Sequence, residues 1–194
     1  MTSCFVHMQI LSIKHMVCPR CVSAVEELLL RIGIGFSKVE LGRVWLLKPL
    51  SSQEMKTLEA NLEEVGFVLL KSKDSKRIEA VKNALIEAVH GADIPSSFSL
   101  PSYLGAYLAE NYSYLSHLFS GTEGITIEKY FIQLKVEKVK EWLSYGEHTL
   151  SEASYLLGYS SVQHLSAQFK KVTGMTPSAY RKLAVKPRKG LDSI

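Results

Sequence analysis

The chain has 194 residues, 46% of them apolar, and 23 Lys and Arg against 19 Asp and Glu leave a net charge of +4. That apolar content excludes a disordered protein, and the length allows one large or two small domains with real cores. No apolar run is long enough for a bilayer, Met1 to Met8 lacks the basic start and cleavage site of a secretory signal, and three cysteines build no disulfide scaffold. A cytoplasmic protein without membrane contact is the expectation.

In chain order, Met8 to Lys14 reads as a strand, and Met16-Val-Cys18-Pro-Arg-Cys21 interrupts it. Val22, Val25, Leu29 and Ile32 then mark a helix face that Gly33 and Gly35 end. Phe36 to Leu41 and Val44 to Leu47 read as strands hinged at Gly42; Met55, Leu58, Leu62 and Val65 mark a second helix, and Phe67 to Leu70 a final strand. The order βαββαβ predicts a ferredoxin-like domain over 1–73, with both helices on one side of an antiparallel sheet.

Cys18 and Cys21 fall in the loop and first turn of the first helix. Backbone N–H groups and the helix dipole there favour thiolate, and two thiolates suit a soft ion, Cu(I), with Zn(II) as competitor. Two other readings stand beside it: an inert or protein-docking inheritance, and thiol exchange, against which the element order speaks. Cys4 reads as a spare thiol. The run KHMVCPRCVSAVEELL resembles the heavy-metal-associated domain of copper chaperones and metal-transporting ATPases. It departs from that pattern at His15, where a glycine is usual; the histidine either crowds the loop or offers a third ligand.

Asp74 to His90 carries Ile78, Val81, Leu85 and Ala88 at three- and four-residue steps, a connector helix with a narrow apolar seam. The seam fits packing on a neighbouring domain or a dimer contact of under two heptads, so a monomer or weak homodimer is expected. Gly91 to Ser99, with Pro95 and three serines, reads as a linker, making 74–98 a connector.

From Ser99 to Lys182 the chain repeats itself with an offset of fifty residues: Leu100 with Leu150, Leu115 with Leu165, Ser116 with Ser166, Phe119 with Phe169, Gly124 with Gly174, Thr126 with Thr176 and Tyr130 with Tyr180. Each copy reads as two short helices and a Gly-x-Thr break into a third. In the second copy, Thr149 with Glu152 and Ser160 with Gln163 read as capping boxes, and Val162, Leu165 and Phe169 form a buried stripe. Its outward stripe is Gln163, Ser166, Ala167 and Lys170; that of the first copy is Ser113, Ser116, His117 and Ser120. Such a pair of helices reads as a helix-turn-helix. Thr126 to Leu143 forms one helix between the copies, roughly 25 Å long, a rigid spacer compatible with readers about 34 Å apart. Lys186, Pro187, Arg188 and Lys189 read as a solvated basic tail, 184–194.

The run YLSHLFSGTEGITIEKYFIQLKVEKVKEWL, followed by LSEASYLLGYSSVQHLSAQFKKVTGMTPSAYRK, resembles the DNA-binding domain of the AraC/XylS family of bacterial transcription regulators. Gly158, Tyr159, Phe169, Gly174, Pro177 and Tyr180 stand where that family's pattern places such residues, and His117 and Ala167 stand where members often carry arginine. The resemblance implies a domain over 99–183 with two helix-turn-helix units, both entering major-groove segments.

An α+β chain follows, a ferredoxin-like domain and then an all-α tandem helix-turn-helix domain. Its expected function is sequence-specific transcription regulation, on double-stranded DNA and with RNA polymerase as a further partner, alongside a response to copper or zinc through Cys18 and Cys21. Base-edge or phosphate contacts are expected from Ser113, Ser116, His117, Gln163, His164 and Ser166. Phosphate contacts are expected from Lys170, Lys171 and the helix starts at Thr126 and Thr176. Residues 95–194 hold 11 Lys and Arg against 8 acids, so this case rests on pattern and not on bulk charge. The alternative is a metal or thiol adaptor whose helical half docks a protein. No catalytic triad, phosphate-cradling glycine loop or carboxylate pair points to an enzyme.

Overall fold

The computed structural model describes residues 9–191, so Met8 and Cys4 lie outside the described residues. The chain forms two compact units, 1–83 and 84–194.

In the first unit the elements are β1 (Ile10–Lys14), α1 (Pro19–Arg31), β2 (Phe36–Glu40), β3 (Arg43–Leu46), α2 (Ser52–Glu64) and β4 (Val68–Leu70), followed by the start of α3 (Lys73–Gly91). This is the order read from the sequence. The sheet is antiparallel with strand order β2-β3-β1-β4. Alternate strand residues point inward, and the register sets Leu11 against Val44 and Ile13 against Leu69. Those side chains close over Val25, Leu28 and Leu29 of α1 and Leu58 and Leu62 of α2 in one core. Helix α2 starts at a complete capping box, Ser51 with Glu54.

Helix α3 buries Ile78, Val81, Ala84, Leu85, Ile86 and Val89, a wider face than the narrow seam that spacing suggests. Within the first unit, its Glu79 carboxylate accepts the His15 N–H at 3.2 Å.

The second unit is helical. After α3 come α4 (Leu100–Leu108), α5 (Tyr112–Glu123), α6 (Ile127–Tyr145), α7 (Leu150–Leu156), α8 (Val162–Thr173) and α9 (Pro177–Arg181). Helix α6 packs against α5, α8 and α9, burying Leu134, Val136, Val139, Trp142 and Leu143. Among the described residues no helix is long and apolar enough to cross a membrane.

Two stretches expected to be loose are packed. Residues 92–98 form a strap rather than a free linker: the Ile94 N–H donates to the Leu156 carbonyl at 3.0 Å, Ile94 is buried, and Phe98 stacks on Phe131 with ring centres 5.5 Å apart. The basic tail folds back on α6 instead of lying in solvent. Arg188 reaches Glu141 at 3.3 Å, the Lys189 N–H donates to Glu137 at 3.2 Å, and the Tyr180 hydroxyl donates to the Pro187 carbonyl at 2.9 Å. The sequence pattern could not show either, because the partners lie more than thirty residues apart in all but the last of these contacts.

Candidate nucleic-acid interface

The fifty-residue repeat is carried into the backbone. Starts coincide at Leu100 and Leu150, Tyr112 and Val162, Ile127 and Pro177, and the N-caps match as Ser99 and Thr149, Asn111 and Ser161, Thr126 and Thr176. Both second helices end at a left-handed glycine, Gly124 and Gly174. Leu115 and Phe119 are buried in one copy, Leu165 and Phe169 in the other, and Phe119 meets Tyr130 at 5.5 Å as Phe169 meets Tyr180 at 5.6 Å. With equivalent backs buried, equivalent faces are turned outward.

The turns between helices differ. Helix α7 begins in the Thr149 and Glu152 capping box and ends at Leu157, followed by Gly158 in the left-handed region; α4 ends at Ala109, also left-handed, with φ +53°. The cap of α8 is Ser161, whose hydroxyl accepts the His164 N–H at 3.1 Å, so the box expected at Ser160 and Gln163 does not form. Ser160 instead bonds the His164 ring at Nδ1, 3.1 Å away. Two adjacent serines made the choice ambiguous in sequence.

On α8, Gln163, Ala167 and Lys170 are exposed and Ser166 is half-buried, all on one stripe; exposed His164 and Lys171, seven residues apart, form the adjacent stripe. The His164 ring is held edge-on to Tyr159 at 5.4 Å as well as by Ser160. On α5, Ser113 and His117 are exposed and Ser116 is half-buried. Sequence reasoning passed over Tyr114, 44% exposed, which occupies the position of His164 in the first copy. Applying the offset to every outward residue would have found it.

Charge is unevenly shared. Helix α8 holds no acid, and its Lys170 and Lys171 have no carboxylate partner among the described residues, whereas Lys138, Lys140 and Arg188 are paired with Glu141, Glu137 and Glu141. Helix α5 has no Lys or Arg. Thr126 and Thr176 spend their hydroxyls on capping, accepting the Lys129 and Ala179 N–H groups at 3.2 Å each. Pro177 lacks an N–H, so the second of these starts offers fewer backbone donors than the first.

In the first unit, the Cys18 and Cys21 sulfurs lie 3.4 Å apart, Cys18 capping α1 with Pro19 behind it. Burial pushes the Cys21 thiol up, which outweighs the help to thiolate expected from the helix start. His15 sits in the left-handed region at φ +73°, the conformation that a glycine adopts most easily, and the His15 carbonyl lies 3.9 Å from the Cys21 sulfur. Among the described residues no group of three or more His, Cys, Asp or Glu is placed to hold a metal ion.

Residues 104–183 match the model of a helix-turn-helix domain. The chain is 27% identical over 109 residues to "Probable transcriptional regulator LumQ" of Photobacterium leiognathi, a match spanning 56% of this chain and 43% of that one. It is 35% identical over 75 residues to "Putative AraC-like transcription regulator" of Streptomyces lividans, spanning 39% and 25%. The C-terminal domain of AraT, a response regulator from Geobacillus stearothermophilus, aligns with 57% of this chain and 88% of its own at 25% identity and a TM-score of 0.49. The chain thus spans less than half the length of these curated relatives. Its C-terminal half, with matched caps, matched buried faces and a shared central helix, carries a helix-turn-helix domain over residues 104–183.

Proposed function

We propose that the chain is a sequence-specific, DNA-binding transcription regulator in which α5 and α8 enter neighbouring major-groove segments. The observation that carries this is the pair of equivalent helices, each with a buried Leu and Phe back and a hydrogen-bonding front, braced on one helix of about 28 Å. Gln163, His164 and Ser166 on α8, with Ser113, Ser116 and His117 on α5, read base edges or neighbouring phosphates. Lys170 and Lys171 anchor the backbone, and the N–H groups behind Thr126 and Thr176 face phosphate. With basic charge on α8 and none on α5, the second helix-turn-helix supplies more of the salt-dependent affinity than the first.

Fluorescence anisotropy on a selected site and on scrambled DNA tests these roles. Gln163→Ala erodes the preference between the two, while Lys170→Ala weakens both about equally and lowers the salt slope by about 1. Identical behaviour of the two variants removes the base-contact assignment. The competing reading, a helical half that docks a protein, expects no effect of Lys170→Ala on DNA.

A second reading concerns the first unit, as a ferredoxin-like, heavy-metal-associated type of domain. The nearness of its two sulfurs supports Cu(I), which accepts few thiolates, over Zn(II), which asks for four ligands. Cys18 and Cys21 would hold the ion, and the cost of deprotonating half-buried Cys21 would be met by binding. Titrating Cu(I) and Zn(II) into wild type and a Cys18→Ser, Cys21→Ser double variant, while following DNA binding, tests it. Uptake that ignores the cysteines ends the metal reading and leaves DNA binding untouched.

A further inference from the structure

Beneath the strap lies a cleft of about 480 Å³ inside the helical unit, walled by Ile94 and Phe98 on one side and Phe131, Ile132 and Lys135 of α6 on the other, with Gly158 at its edge. That volume suits a small organic ligand. Lys135, half-buried, is the one cation in its lining. A single N–H of its ammonium goes to the Leu157 carbonyl, 3.3 Å away, and the nitrogen lies 4.2 Å from the Tyr159 ring centre and 5.0 Å from that of Phe131. Rings of this kind attract a cation but do not neutralise it.

Among the described residues no carboxylate lies within ion-pair distance of Lys135. Burial is the sole cause acting on its proton affinity, with no acid offsetting it, and it brings the amine down to about 8. Glu128, at the far end of the cleft, already accepts the Tyr112 hydroxyl. A charge drawn this far out of water gains from a partner, and here there is space for one beside half-buried Lys135.

We propose that this cleft binds a small organic carboxylate with an apolar body, the carboxylate on Lys135 and the body along Phe131, Ile132 and Ile94. A monoanion fits better than phosphate. One ammonium and the hydroxyls of Ser96 and Ser99, in a lining that also holds Glu128, cannot replace the hydration of a doubly charged, strongly hydrated group, whereas an aliphatic or aromatic tail gains by burial on Ile94, Phe98, Phe131 and Ile132.

Calorimetric titration of sodium octanoate into the full chain, with octan-1-ol as the uncharged control, tests this. Octanoate should bind with a dissociation constant below about 1 mM and at least about tenfold more tightly than octanol, the difference a charge-assisted hydrogen bond supplies. Lys135→Met should bring octanoate down to the level of octanol. Should that variant not fold, Ile132→Trp, which fills the other end of the wall and keeps the charge, should abolish binding of both. Equal affinity of the two probes for wild type, undiminished octanoate binding in Lys135→Met or Ile132→Trp, or no octanoate binding to wild type overturns the proposal.

Discussion

Gly158→Ala should be among the most damaging single-methyl additions to the helical unit, and Gly174→Ala is its control. Both glycines are left-handed, at φ +67° and +81°. A Cβ on Gly174 would meet nothing within 4 Å, while one on Gly158 would lie 2.7 Å from the Ile94 carbonyl oxygen and 2.9 Å from that of Pro95. Gly174→Ala therefore carries the backbone term alone, about 1 kcal/mol. Gly158→Ala carries the same term and also lifts the strap. Lifting it forfeits the hydrogen bond from Ile94 to Leu156, about 1 kcal/mol, and re-exposes part of the buried Ile94 side chain, a further 1 kcal/mol or so. The expected loss is about 3 kcal/mol, roughly 2 more than for Gly174→Ala. Urea unfolding of the full chain measures both; with Trp45 replaced by Phe, the fluorescence of Trp142, buried in the helical unit, reports on that unit. Losses equal to within about 0.5 kcal/mol would refute the strap contact.

Other outcomes follow from the same geometry. Thr149→Ala should cost about 1 kcal/mol by opening the capping box of α7, and a neutral result would mean that Glu152 alone holds that start. The Lys135 amine falls from 10.5 to about 8 on folding, so between those two values the unfolded chain holds the proton more firmly. Stability of wild type relative to Lys135→Met should then rise with pH across that window, and a flat difference would show the amine to be solvated.

How legible all this was in the sequence depended on the range of the interaction. Caps, glycine stops and apolar periods act within four residues, so the βαββαβ order, the Thr149 box and the repeat from Leu100 to Tyr180 could be read directly. The offset of fifty did further work, since it assigns buried backs and outward faces twice over. What escaped was non-local. Gly158 reads as a helix stop, and its second constraint comes from Ile94, a residue sixty-four positions earlier. Arg188 and Lys189 read as solvated charge until Glu141 and Glu137 are seen beside them. Lys135 is one of several lysines on α6, and what sets it apart from Lys138 and Lys140 is that no carboxylate stands within ion-pair distance of it among the described residues. The thiol of Cys21 followed burial where the motif suggested the helix dipole.

Selection of random duplexes by the full chain, repeated with Gln163→Ala and with Ser116→Ala, puts the tandem reading to its most direct test. Two short enriched boxes should emerge, centred about one helical turn apart, with Gln163→Ala relaxing one and Ser116→Ala the other. A single box, both variants blurring the same box, or no enrichment over the starting pool would contradict a pair of readers on one duplex.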